Sequence, residues 1–180
     1  MTGDVGTPDG SIAVRDRIAS DCGTLDVVIP SLGGWWEGAL PDVTLDVWDT
    51  VMHEMLRTHF IFAQAFLPVL RAQTSGGRYL AIGGGAAYHP IRNSSLVSIA
   101  AAAQLMLTRT LRLEIEDPHV DILEFVVDGP VRTRDSEPLA EAHWIGADDV
   151  ARIACELAET GRTADPHVRT AGPIVRMLRA

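Results

Sequence analysis

An α/β fold with a mostly parallel sheet is predicted by three features of the chain. Short runs rich in β-branched residues alternate with helical stretches longer than ten residues, the pattern that lets crossover helices cover a parallel sheet. Gly23, Gly76-Gly77 and Gly161 stop or separate these stretches. No internal repeat, low-complexity tract or linker interrupts the 180 residues, so residues 1–180 read as one domain.

Ser11–Asp21 (SIAVRDRIASD) has helical spacing, with Ile12, Val14, Ile18 and Ala19 apolar. Leu25–Leu32 (LDVVIPSL) has the profile of a buried strand, followed by the loop GGWWEG. Thr44 suits the N-cap of a long helix through Arg71, whose apolar surface is wider than one stripe and should bury more than one face. A second strand, Arg78–Ile82, ends in Gly83-Gly84-Gly85. One long helix spans Asn93–Asp117, and a third strand covers Val120–Val127. After the loop DGPVRTRDSEPLAEAHW, a helix over Asp148–Thr160 opens with acidic residues that suit its positive end. A last short strand falls near Gly172–Met177.

Composition excludes several function classes. The 47% apolar and 22% charged content fit an ordinary globular protein. A net charge of −9 argues against a nucleic-acid or anionic-membrane partner. All 15 basic residues are Arg, so no lysine mechanism is open; Arg stays charged and cannot replace Lys as a proton donor. Cys22 and Cys155 have no CxxC or metal spacing, and no His/Cys/Asp/Glu set suggests a metal. Reduced thiols and an N-terminus without an apolar h-region predict a cytoplasmic protein. The longest apolar runs, near Phe60–Leu70 and Leu96–Leu107, read as too short and interrupted to span a bilayer.

A series of phrases in order resembles the short-chain dehydrogenase/reductase family. GTLDVVIPSLGG resembles its "iDvLVnNAGg" strand and loop, and VWDTVMHEMLRTHFIFAQAFLPVL its long dimerising helix. GGRYLAIGGGAAYHP is similar to the strand ending in "ISS", and VVDGPVRTR to "v.PG.v.T". The stretch from Asn93 to Asp117 resembles "YsasKaal..ltr.lA.El". The resemblance covers most of residues 4–180 and implies an incomplete Rossmann-like three-layer α/β/α fold, lacking the N-terminal nucleotide-binding half.

The departures bear on chemistry. Aligning LTRTLRLE with the family phrase puts the catalytic Tyr position at Val97 and the Lys position at Ala101. The Ser position then falls at Gly84 and the Asn position at Met55. The "NNAG" loop reads Pro30-Ser31-Leu32-Gly33, and no Gly-x-x-x-Gly-x-Gly turn exists to cradle a pyrophosphate. Asp4-Val5 resembles a pair that contacts adenine in relatives, although an ordinary turn before a helix explains it as well. A positioned general acid is worth about 10²–10⁴ in rate, so losing it with its tuner and orienter leaves little reductase chemistry. No cofactor is expected, with NAD(P) possible only if a preceding segment exists.

The rim of the implied site would gather Trp35, Trp36, Gly84, Tyr88, His89, Asp128, Arg132 and Trp144, with His143 nearby. Such a set could run redox-neutral acid–base chemistry on a small ligand. The plainer reading makes Tyr88 and His89 loop residues and the Trp pair a packing or interface anchor. Three functions stay open: a structural or regulatory subunit, an enzyme of another class (lyase, isomerase or cyclase), or a fragment of a longer oxidoreductase. The resemblance further implies pairing through helices 44–71 and 95–116, with a second copy or a paralogous subunit. It also implies that Leu25–Leu32 lacks a sheet neighbour. Some cover is then expected on that edge, from Met1–Ser11 folded back, a second copy or a partner.

Overall fold

The computed structural model describes residues 3–163, 168–171 and 174–178. Helix α1 (Pro8–Cys22) begins three residues before the expected start. Thr7 caps it by accepting from the Gly10 amide at 3.2 Å, and Pro8 suits the first helical position, where no amide is needed. Gly23, at φ 80°, ends it and donates to the Ala19 carbonyl at 3.0 Å.

Strand β1 is a correction, for only Val27–Val28 form a ladder where eight residues were expected. The backbone does follow its neighbour further, since Arg78 donates to Asp26 and Ile82 to Pro30. With a partner on one side only, and Pro30 lacking an amide, the ladder stays short.

The expected single helix over 44–71 is divided. Helix α2 (Leu45–Met52) starts at the Thr44 cap, whose hydroxyl accepts from Val47 at 3.3 Å. A π-turn, His53–Arg57, then joins it to α3 (Thr58–Ala72). Strand β2 (Gly77–Gly84), helix α4 (Ser95–Glu114), strand β3 (Val120–Asp128) and helix α5 (Ala147–Thr160) match expectation within a few residues. Two short strands were not expected: β4 (Val131–Arg132), inside the expected loop, pairs in parallel with β5 (Ile145–Gly146), just after it. Strand β6 (Val168–Ala171) was missed as well, and β7 (Ile174–Leu178) begins after the expected Gly172, which lies outside the described residues.

The sheet order is β1-β2-β3-β7-β6, parallel except for the β6–β7 pair. Alternation along the strands feeds two cores. Tyr79, Ala81 and Ile122 pack against Ala63, Phe66 and Leu70 of α3, with Val14 and Ile18 of α1 behind them. Leu80, Leu123, Phe125 and Val127 pack against Ile153 and Leu157 of α5. At about 1.5–3 kcal/mol for each fully buried large apolar side chain, these two faces carry most of the stabilisation.

α4 is long and apolar enough to cross a membrane by length and composition, which corrects the expectation that its apolar run is too short. Here it packs on the sheet and buries Leu96, Val97, Ala100, Ala101, Gln104, Leu105 and Thr108. On the helices expected to pair with another subunit, Phe66 and Leu105 are core residues, whereas Phe60 and Met106 are exposed. Among the described residues, the N-terminal segment runs elsewhere than along the β1 edge: Gly6 lies beside His53 and Thr58, and α1 packs against α3. Among the described residues, β1 has no strand on its outer side.

Candidate functional site

A cavity of about 820 Å³ opens at the C-terminal ends of β1, β2 and β3, where parallel α/β sheets place ligands. Apolar groups form most of its wall: Leu32, Ile82, Ile91, Val127 and Pro130 with the glycines at 33, 34, 84, 85 and 129. Met55 from the π-turn, Gly84 from the end of β2, and Val97 and Ala101 one turn apart on α4 all line it. The four positions aligned with the family tetrad therefore meet in one space. A Cβ at Gly84 would touch nothing within 4 Å, so the vacancy there is cavity and not packing.

Of the eight rim residues expected, Trp35, Gly84, His89 and Asp128 line the cavity and Trp36, Tyr88, Arg132 and Trp144 do not. Trp36 folds over Gly38, where a Cβ would lie 2.5 Å from its ring. Trp35 is 62% exposed and donates from Nε1 to Glu37 at 2.9 Å. Arg132 faces Glu137 at 3.9 Å, and His143 faces Glu141 at 3.2 Å. Arg132 belongs to the β4–β5 ladder, and neither it nor His143 lines the cavity. Tyr88 stands just behind His89, with its hydroxyl accepting from Arg109 at 3.4 Å.

Arg176 on β7 escaped the sequence reading, and it organises this corner. Its Nη2 donates to His89 Nε2 at 2.9 Å and to Asp128 Oδ2, and its guanidinium lies 4.4 Å over the Tyr88 ring. Asp128 Oδ1 rests against Gly85, where a Cβ would come within 2.0 Å of it. Only glycine fits that close approach.

Three buried groups surround the cavity. Gln104 lines it and donates from Nε2 to the Ile82 carbonyl at 2.9 Å. His59, 1% exposed, hydrogen-bonds through Nε2 to the Leu32 carbonyl at 3.1 Å; burial lowers its pKa, and that bond opposes the shift. Glu124 on β3 is 2% exposed and sits beneath Gly83, with Oε2 unpartnered. Burial lifts its carboxyl to about 7, while Thr108 and the Arg109 charge pull it down. Tyr79 is raised above its ordinary value, first by burial and then by the charge of Glu124. Among the described residues no His/Cys/Asp/Glu group could hold a metal ion.

Comparison with known proteins agrees with this architecture. A family model described as enoyl-(acyl carrier protein) reductase matches residues 1–167. The chain is 26% identical over 102 residues to dehydrogenase/reductase SDR family member 4 of Sus scrofa, covering 57% of this chain and 36% of that protein. Against the Bos taurus protein of the same name it is 29% identical over 137 residues, covering 73% of this chain and 48% of the relative. The chain thus spans about a third to a half of the curated relatives it matches. Among solved structures, one assigned as a short-chain alcohol dehydrogenase from Sinorhizobium meliloti superposes with TM-score 0.76 at 19% identity, covering 88% of this chain and 68% of that one. ElxO with NADP bound gives TM-score 0.80 at 16% identity, covering 97% and 74%. The phrases, the sheet and the family match converge: the chain belongs to the short-chain dehydrogenase/reductase family.

Proposed function

We propose that this chain is a non-reductase member of its family, acting as a structural or regulatory subunit of a homo- or hetero-oligomer and holding a small, mostly apolar molecule in its cavity. One observation carries the reading. Met55, Gly84, Val97 and Ala101 stand in a single cavity at the positions the family resemblance gives to Asn, Ser, Tyr and Lys. None can donate or accept a side-chain proton, so the reacting centre of a carbonyl reduction has no acid beside it.

The residues present do not fit a nicotinamide dinucleotide. Besides the Trp35 indole, the polar side chains on the cavity wall are His89, Asp128 and Gln104, and no arginine lines it to meet a pyrophosphate. No Gly-x-x-x-Gly-x-Gly turn is present to present backbone amides to phosphates. The family's pairing through its long helices supports the subunit role, and Trp48, Phe60, Met106 and Leu113, exposed on α2, α3 and α4, are available to such a contact. Calorimetric titration with NAD(H) and NADP(H) tests the proposal. Heats too small to fit, and no turnover of generic ketones, are expected; micromolar affinity for either cofactor would refute the non-reductase reading.

A second reading, an enzyme of another class, draws on the contact of His89 and Asp128 with Arg176 beside the cavity, since a His and a carboxylate can exchange protons without a redox cofactor. A third, a portion of a longer oxidoreductase, draws on the partial span of the relatives. A glycine-rich strand–turn–helix upstream in the genomic reading frame would favour the third.

A further inference from the structure

One short run of the cavity wall hangs between two fixed posts. At the first, His59, buried on α3, holds the Leu32 carbonyl at 3.1 Å. At the second, the Gly38 amide donates to the Asn93 carbonyl at 2.7 Å, and Gly38 bridges to buried Ser94 at the head of α4. The two adjacent tryptophans between these posts are held unequally. The Trp36 ring packs over Gly38, so close that a Cβ there would lie 2.5 Å from it, and this pins Trp36 to the second post. Trp35 lines the cavity yet is mostly exposed, and its Nε1 donates to Glu37 at 2.9 Å in a bond between exposed groups. The backbone before it is Gly33-Gly34, with Gly33 at φ 120°, a conformation that favours glycine.

We propose that Trp35 is a flap, latched open by Glu37, that swings about Gly33-Gly34 to lay its indole over an apolar molecule in the cavity. This rests on the proposal that a small, mostly apolar molecule binds there. Two opposed effects set the position of the ring. Closing breaks the bond to the Glu37 carboxylate, which costs little because water replaces it at an exposed site. With water in the cavity the indole would exchange one wet surface for another, and the latch decides the balance. With an apolar molecule inside, the ring and the molecule cover each other, and burial of a side chain this large outweighs one exposed hydrogen bond. The posts confine the movement to residues 33–37, so α3, α4 and the sheet keep their places.

The test labels the full chain with 5-fluorotryptophan, which gives one ¹⁹F signal for each of the 4 tryptophans, and Trp35→Phe identifies the Trp35 signal. Biphenyl, which carries no polar group, is the probe, and equilibrium dialysis follows its binding independently. A soluble paramagnetic chelate should broaden the Trp35 signal strongly in the free protein. Biphenyl should reduce that broadening several-fold and leave the Trp36 signal unchanged. Glu37→Ala, a change at an exposed side chain, should release the latch. Trp35 should then be partly protected before any probe is added, and biphenyl should bind about two- to tenfold more tightly, the worth of a single hydrogen bond. Biphenyl bound with Trp35 as accessible as before overturns the flap and leaves the cavity reading standing. An affinity that Glu37→Ala leaves unchanged overturns the latch. Dialysis showing no bound biphenyl overturns the cavity reading and the flap together.

Discussion

His59 on α3 donates from Nε2 to the carbonyl of Leu32, 3.1 Å away, and thereby ties a helix layer to the loop that walls the cavity. His59 is buried whereas Leu32 is half-buried at the cavity wall, so the bond's loss falls mainly on the histidine side. His59→Ala should cost about 1–3 kcal/mol and loosen Leu32–Trp35. Burial lowers the folded-state pKa of His59 below 6.5, so the unfolded chain binds its proton more readily. Stability from this group is present above that value and lost as pH falls beneath it. Urea titrations of both proteins down the acid range should show a drop in the wild type that the variant lacks.

Glu124 gives a pH dependence of the opposite sign. Its folded carboxyl titrates near 7 against an ordinary 4.5, so the native state holds a proton that the unfolded state has released. Stability is full below 4.5 and declines as pH rises through about 7. At about 1.4 kcal/mol per unit, the loss is on the order of 3 kcal/mol. Glu124→Gln should flatten that slope and be the more stable protein in the alkaline range. Equal slopes in denaturant titrations would refute the assignment.

Adjacent glycines should behave differently. A Cβ at Gly84 enters open space, so Gly84→Ala should shift stability by less than about 0.5 kcal/mol. At Gly85 the Cβ would meet Asp128 Oδ1 at 2.0 Å and the Asp128 Cα at 2.9 Å. Gly85→Ala should cost about 1–3 kcal/mol or more and break the Asp128–Arg176 contact. Thermal unfolding of the two variants checks this directly.

Rebuilding the family tetrad should not create a reductase. The variant Met55→Asn, Gly84→Ser, Val97→Tyr, Ala101→Lys supplies the acid and its partners, yet still lacks a phosphate cradle. No dinucleotide-dependent turnover above background is expected in a coupled absorbance assay. Turnover would show that the cofactor half of the proposal is mistaken.

Subunit contact through the long helices predicts that Phe60→Ser with Met106→Ser moves the protein toward monomer. Both side chains are exposed in the single chain, 46% and 56%, so the change should leave the fold intact. Sedimentation velocity across a dilution series distinguishes this from a chain that is monomeric from the outset.

The layering was legible because helix caps, glycine stops and apolar period are local signals. Met55, Gly84, Val97 and Ala101, which the order of phrases sets at corresponding positions, border one cavity. The extent of β1 was not legible: its apolar run looks like a central strand, but ladder length depends on which strands flank it. Arg132 looked near Asp128 in sequence, yet it sits in the β4–β5 ladder and does not line the cavity. Arg176 was invisible for the converse reason. It lies 48 positions from Asp128, and only the pairing of β7 with β3 brings the two together.

That pairing has a consequence for how the protein is made. β7 inserts beside β3 near the middle of the sheet, although β4, β5, α5 and β6 come between the two in the chain. Until it leaves the ribosome, β3 has one bare edge, and His89 and Asp128 have no guanidinium between them. Pairings this distant in sequence form late, since the chain must close a long loop before any contact rewards it. The nascent chain therefore carries a half-built sheet and an unassembled cavity mouth until β7 emerges, the interval in which it is most exposed to misassembly.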